Sequence, residues 1–202
     1  SELVTDLAAA EPVETFLDVG CGEGTFTAAM VDALGEEPRD PRATMAFDIS
    51  RPAVKVTARR VPKALAAVAS VIDQPVADAS VDLLTSIMAP LHEAEFRRVA
   101  RPGGRILVVS PGDSHLAELR QVLYPHYRPH DEQVSLTEVL DVIERRRFTA
   151  TAQLTTRADL DEVWGMTPYR WNTPLDGQER FAQLDHLTVS VHFVATVLRI
   201  PA

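Results

Sequence analysis

The sequence predicts an α/β fold: a seven-stranded, mostly parallel sheet with helices on both faces and an antiparallel hairpin at its C-terminal end. Three observations predict it. Short apolar stretches alternate with amphipathic helical ones through most of the chain, the pattern of a parallel sheet. Arg105–Ser110 is almost wholly apolar, as a strand buried on both faces must be. Two long stretches near the end, Phe148–Thr155 and Leu187–Ile200, are separated only by a short insert.

Taken in order, Ser1–Ala10 carries Leu3, Val4 and Leu7 at helical spacing and is predicted helical. Thr15–Val19 is the first strand and runs into Gly20-Cys21-Gly22-Glu23-Gly24. Thr25–Leu34 is a helix whose expected buried face is Phe26, Ala29, Met30 and Ala33, with Gly35 as its C-cap. Glu36–Pro41 is a polar loop with two prolines, and Ala43–Ile49 is the second strand. Ser50 is the expected N-cap, and Pro52 the first-turn proline, of a helix reaching Arg60. Leu65–Ala69 and Val81–Ile87 are strands joined by a loop. Glu93–Ala100 is a helix stopped by Arg101-Pro102-Gly103-Gly104, which leads into the fifth strand. His115–Val122 and Leu136–Arg146 read as helices, as does the stretch around Asp159–Trp164, and Met166–Gly177 as irregular. The final strand alternates at Val189, Val191 and Phe193, and Trp164 is expected in the core. With no repeat and no linker, residues 1–202 read as one domain, in which 123–180 contribute a substrate-side insert.

Composition sets limits. The chain has 202 residues, 46% apolar and 24% charged, an ordinary globular balance. No apolar run approaches the ~20 residues that span a bilayer, and the N-terminus lacks the pattern of a signal peptide. One cysteine, Cys21, makes no internal disulfide, and the six histidines have no metal-ligand spacing, so no metal is expected. Together these point to the cytoplasm. The net charge of −9 argues against general affinity for nucleic acid. Local basic clusters remain at Lys55–Lys63, Arg97–Arg105 and Arg145–Arg147.

The chemistry concentrates in Asp18-Val19-Gly20-Cys21-Gly22-Glu23-Gly24, between a strand and a helix. Its glycines allow a tight turn and let a ligand lie against the backbone. The spacing is neither that of the dinucleotide fingerprint nor that of the P-loop. Asp48 ends the second strand, where a carboxylate can accept both hydroxyls of a ribose. Cys21 has no histidine near it in sequence and is not expected to be a nucleophile.

This combination resembles the class I S-adenosylmethionine-dependent methyltransferases, with a Rossmann-like sheet. Ser70 follows the third strand, where adenine lies in that class, and Arg101-Pro102-Gly103-Gly104 resembles its turn before the fifth strand. A narrower resemblance lies in Ile87-Met88-Ala89-Pro90, Pro111-Gly112-Asp113-Ser114-His115-Leu116 and Met166-Thr167-Pro168-Tyr169-Arg170-Trp171. In this order and spacing they look like the bacterial large-subunit (23S) rRNA guanine-N1 methyltransferases.

The resemblance implies S-adenosylmethionine as cofactor, held by Asp18, Gly20, Gly22, Glu23, Gly24, Asp48, Ile49, Ser70, Met88 and His115. Ala89, Pro90, Thr167, Tyr169 and Trp171 would lie on the substrate side, where the aromatic rings offer faces for an extruded base. Ribosomal RNA is the implied partner, and a homodimer is left open. That family begins with a zinc-binding segment, which this sequence does not contain, so either it was cut away or this is a relative without it. A small-molecule methyltransferase of the same fold, and a donor-binding scaffold without activity of its own, are the alternatives. No general base is identified.

Overall fold

The computed structural model describes residues 12–35, 43–126 and 140–201. The predicted N-terminal helix and the polar loop 36–41 lie outside them. The described elements run β1 (Phe16–Val19), α1 (Thr25–Leu34), β2 (Thr44–Asp48), α2 (Arg51–Arg60), β3 (Leu65–Val68), β4 (Val81–Ile87) and α3 (Glu93–Val99). They continue with β5 (Ala100–Pro111), α4 (Ala117–Leu123), β6 (Asp141–Leu154), α5 (Arg157–Gly165), α6 (Tyr169–Asn172), α7 (Leu175–Ala182) and β7 (Leu187–Arg199). The described residues fold into two compact units: 12–35, 43–110, 140–145 and 195–201 form the first, and 111–126 and 146–194 the second.

The sheet has seven strands in the order β3-β2-β1-β4-β5-β7-β6. β1 pairs in parallel with β2 and β4, β2 with β3, and β4 with β5, while β7 and β6 add the antiparallel end. Alternate residues of each central strand go to opposite faces. Leu17, Leu84, Ile106 and Leu198 pack with Phe96 and Val99 of α3. Their neighbours Phe16, Leu83, Leu107 and Val197 pack with Met30 and Leu34 of α1. Both faces are therefore covered, which explains why β1 and β4 are apolar without alternation.

The Arg101–Gly104 turn is absorbed into β5 as an irregularity. Val81 sits opposite Ala100, yet Leu83 sits opposite Arg105. The Arg101 guanidinium holds the Asp82 carboxylate, whose other oxygen accepts the N–H groups of Glu14 (3.0 Å) and Thr15 (2.7 Å). Three backbone segments are thereby pinned at the N-terminal end of the sheet.

In the second unit, Leu116, Leu119, Leu123, Leu154, Leu160, Phe181 and Val189 form a separate core. Gly177 lets α7 press against α4, because a Cβ there would lie 2.1 Å from the Leu123 carbonyl oxygen. Thr156 caps α5 with a reciprocal capping box: its hydroxyl accepts the Asp159 N–H, and the Asp159 carboxylate accepts the Thr156 N–H.

Four expectations need correction. Residues 141–146 are strand, not helix; β6 begins at Asp141, where antiparallel pairing at the sheet edge and β-branched Val142 and Ile143 override the helical spacing. Residues 136–139 of that predicted helix lie outside the described residues. The buried face of α1 is Thr27, Met30 and Leu34, while Phe26 is 53% exposed. Met166–Gly177 is not irregular throughout: α6 and the start of α7 fall in it, each preceded by a proline, Pro168 and Pro174. In β7 the buried positions are Val189, then His192 and Val194–Leu198, so the alternation shifts phase after Val189.

Candidate functional site

In the first unit, the glycine-rich turn joins β1 to α1. Gly20, Gly22 and Gly24 all have positive φ, at 74°, 55° and 75°. At Gly20 the constraint is also one of space: a Cβ would lie 2.4 Å from that of Ala89. The first glycine thus abuts the Met88-Ala89-Pro90 turn that leaves β4. Gly24 is as tight, with a Cβ position 2.9 Å from the Thr57 side chain of α2.

α2 holds this turn by two side chains one helical turn apart. The Thr57 hydroxyl donates to the Gly22 carbonyl (2.8 Å), and the Arg60 guanidinium donates to the Glu23 carbonyl (2.8 Å) and to the Thr25 hydroxyl. From below, Asp18 braces the start of α1. It is 1% exposed and accepts the hydroxyls of Thr27, on α1, and Thr85 (2.7 Å), on β4. Burial pushes its carboxyl above the ordinary value, against the opposing pull of the two hydroxyls.

Asp48, at the C-terminal end of β2, accepts the Gly22 N–H (2.9 Å) on one oxygen and the Ser50 N–H (2.7 Å) on the other. Each oxygen keeps acceptor capacity for a ligand hydroxyl. Beside it opens a cleft of about 160 Å³, lined by Val19, Gly20, Phe47, Asp48, Ile49, Ala69, Ser70, Val71 and Pro90. Its walls are apolar apart from Asp48 and Ser70, and Ile49 is 78% exposed at the rim. Apolar walls of this kind suit a flat apolar group, and Asp48 offers acceptors at their edge.

Cys21 is buried within the turn. Burial raises its thiol to about 11, with the Asp18 and Asp48 carboxylates adding to the rise. Such a thiol is no nucleophile at neutral pH. Met88 closes β4 at φ 54°, a left-handed conformation unusual for a side-chain-bearing residue, and is 49% exposed. Among the described residues, no group of three or more His, Cys, Asp or Glu side chains could hold a metal. None of the described helices is long and apolar enough to cross a membrane.

The second unit carries the other predicted residues. His115 lies in the turn before α4 and is 9% exposed. Its Nδ1 accepts the His192 N–H (3.2 Å), and its ring lies 4.7 Å from that of Phe193. His192 Nδ1 stands 3.0 Å from Asp113 Oδ1 and 2.9 Å from Ser114 Oγ. The Thr167 hydroxyl donates to the Trp164 carbonyl (2.9 Å). Tyr169 packs against the unit's core, edge-on to Tyr124 at 6.0 Å. Trp164 packs there too, 4.7 Å from Phe181. Trp171 is 81% exposed, with the Arg170 guanidinium 5.5 Å over its ring.

The structure thus brings Gly20, Asp48, Ile49, Ser70 and Pro90 into one cleft. Gly22, Glu23 and Gly24 lie in the adjoining turn, Met88 and Ala89 in the turn packed on Gly20, and Asp18 beneath. Sequence reasoning missed Val19, Phe47, Ala69 and Val71, each next to a residue it named. It also missed Thr57 and Arg60, whose roles arise only from long-range contact.

A family profile described as "Methyltransferase domain" matches residues 17–108. A Streptomyces fradiae protein named 23S rRNA (guanine(748)-N(1))-methyltransferase is 34% identical over 92% of this chain and 68% of its own length. A Micromonospora griseorubida protein, provisionally named as a 23S rRNA (guanine-N(1)-)-methyltransferase, is 38% identical over 81% of this chain. The match spans only 56% of that relative's length. Among solved structures, a Bacillus halodurans protein provisionally named a methyltransferase superposes with TM-score 0.62 at 18% identity, covering 100% of this chain and 98% of its own. The YcgJ protein of Bacillus subtilis gives 0.60 at 16%, with 100% and 97% covered. At these identities the two structures show a shared fold.

Proposed function

The chain belongs to the family of the 23S rRNA guanine-N1 methyltransferases, and we propose that it transfers a methyl group from S-adenosylmethionine to N1 of a guanine in 23S rRNA. The observation that carries the donor half is the cleft beside Asp48, where an apolar slot, a diol acceptor and a backbone-lined turn meet. The acceptor half rests on the relatives and on the exposed Trp171 ring.

In this reading Asp48 takes the ribose hydroxyls, and Phe47, Ile49, Ala69 and Val71 enclose the adenine. Gly20, Gly22, Glu23 and Gly24 present backbone to the rest of the donor, beside Met88 and Ala89. His115 belongs to the second unit, where its Nδ1 accepts the His192 N–H, and its part in donor binding rests on the family resemblance alone. Trp171 gives an extruded base a face on which to stack, with Thr167 and Tyr169 in the same segment. When bound, the sulfonium supplies an already activated methyl group. What the chain adds is position: a displacement of this kind needs the nucleophile and the methyl carbon held in line, with S-adenosylhomocysteine as the leaving group and the N1 proton passing to solvent. A strong anion beside the sulfonium would stabilise the ground state more than the transition state. Asp48 fits that requirement, because its place is at the ribose.

The test is incubation with labelled donor and unmodified 23S rRNA, followed by reverse transcription. Methylation at N1 blocks Watson–Crick pairing, so a stop at one guanine is expected. Incorporation only into small-molecule acceptors, insensitive to salt, would favour the alternative suggested by the charge of −9.

A further inference from the structure

Three of the described helices pair opposite charges along one face. α3 pairs Glu93 with Arg97, α5 pairs Arg157 with Asp161, and α7 pairs Asp176 with Arg180, each at i, i+4. α2 contains no acidic residue at all. It carries Arg51, Lys55 and Arg59 at successive four-residue intervals, and Lys63 follows at the next. All four are exposed, and none hydrogen-bonds or ion-pairs with another described residue. Both lysines of the chain lie in this stripe.

Helix stability does not account for it. Like charges at i, i+4 repel, and Arg51 in the first turn faces the positive end of the helix dipole; of the stripe, only Arg59, in the last turn, is favoured by it. Packing does not account for it either, because α2 turns Val54 and Thr57 inward and leaves the stripe outside. In a chain of net charge −9, a helix that gathers cations with no counter-ion among the described residues is built against the general trend. With a rise of 1.5 Å per residue, Arg51, Lys55 and Arg59 stand about 6 Å apart along the helix axis, and Lys63 follows just beyond its end. A flexible polyanion can follow such a row.

We propose that the outer face of α2 binds the phosphate backbone of the RNA substrate. The proposal rests on the reading of the protein as an RNA methyltransferase. The same helix clamps the glycine-rich turn through Thr57 and Arg60, so the stripe and the donor cleft share one rigid element. The contacts would be sequence-independent, serving to place the RNA rather than to select the guanine.

The experiment compares wild type with Arg51→Ala/Lys55→Ala/Arg59→Ala, and with a charge-matched control, Arg97→Ala/Arg157→Ala/Arg180→Ala. Binding to a 23S rRNA transcript is measured across a salt series, alongside methyl transfer and donor affinity. Loss of the stripe should weaken RNA binding roughly tenfold to a hundredfold at about 0.1 M salt. It should also reduce the slope of log K against log salt by about 2 to 3. Donor affinity should stay unchanged, and the thermal midpoint should move by no more than a few degrees, since relieved repulsion offsets the loss of Arg59 from the last turn. The control should keep most of the wild-type slope. An unchanged slope and affinity in the stripe variant, with wild type still methylating RNA, overturns this proposal alone. An equal loss in the control overturns it too, because net charge would then explain the effect. Failure of wild type to bind or methylate the transcript overturns the RNA reading and the stripe with it.

Discussion

Asp48 does two jobs with one carboxylate. It orders the turn through Gly22 and Ser50, and it keeps acceptor capacity for a diol. Replacing it with alanine should weaken S-adenosylmethionine binding by about 1.5–3 kcal/mol, the usual cost of a hydrogen bond to a charged group. Calorimetry showing unchanged affinity would remove Asp48 from the donor site. Under the proposed function, Trp171 serves the RNA and not the donor. With its ring 81% exposed it contributes little to the core, so Trp171→Ala should lower transfer to RNA at least tenfold. Its donor affinity and thermal midpoint should hold, and equal loss of both activities would refute the stacking role. The cleft was readable in the sequence, because four of its lining residues, Gly20, Asp48, Ile49 and Ser70, sit at strand ends in a recognisable order. Thr27, Thr57 and Arg60 were not readable. A buried threonine that serves a carboxylate, and a helix that clamps a turn more than 30 residues away in sequence, have no local signature.

At the scale of the element, helix α3 shows how a short segment is fixed. Arg98 reaches the Glu95 carboxylate (2.6 and 2.9 Å), Asp78 (2.7 Å) and the carbonyls of Gln74 (2.9 Å) and Val76 (2.7 Å). Glu95 in turn accepts the Gln74 N–H (2.7 Å). The Arg98 guanidinium, opposed by partial burial and helped by that N–H, holds the Glu95 carboxyl at about 2, against an ordinary 4.5. The folded-state value is the lower one, so this contribution is complete above the ordinary carboxylate range and is lost as pH falls from about 4.5 toward 2. Glu95→Gln should therefore cost about 1–3 kcal/mol at neutral pH. The gap between variant and wild type should close as pH is lowered through that window in denaturant titrations. A gap independent of pH would assign the effect to packing. The elements themselves were largely legible: α1, α2 and β4 begin and end within a residue of where caps, prolines and apolar runs place them. The failures share one cause. Residues 141–146 could be helix or strand on local grounds, and pairing at the sheet edge decides it; Phe26 looked like core, but Thr27 takes the inward position because Asp18 needs its hydroxyl.

For the whole molecule, the division into two units raises the question of cooperativity. Among the described residues the chain passes between the units near the end of β5, after residue 110, inside β6, after residue 145, and inside β7, after residue 194. A strand cannot melt in one half while its ladder persists in the other without breaking backbone hydrogen bonds at the junction. The two units should therefore unfold together. Both tryptophans, Trp164 and Trp171, lie in the second unit, whereas the cleft proposed for the donor lies wholly in the first. Tryptophan fluorescence thus reports on one unit while the donor acts on the other. Saturation at a hundred times Kd adds about 2.7 kcal/mol of stability. For a chain of this size that raises the midpoint by roughly 5–10 °C. Under cooperative unfolding, the fluorescence transition should rise by the full amount, coincident with far-UV circular dichroism. A fluorescence midpoint that stays fixed while circular dichroism splits into two stages would show that β6 and β7 do not couple the units. Donor binding would then stabilise only the unit that contains Asp48.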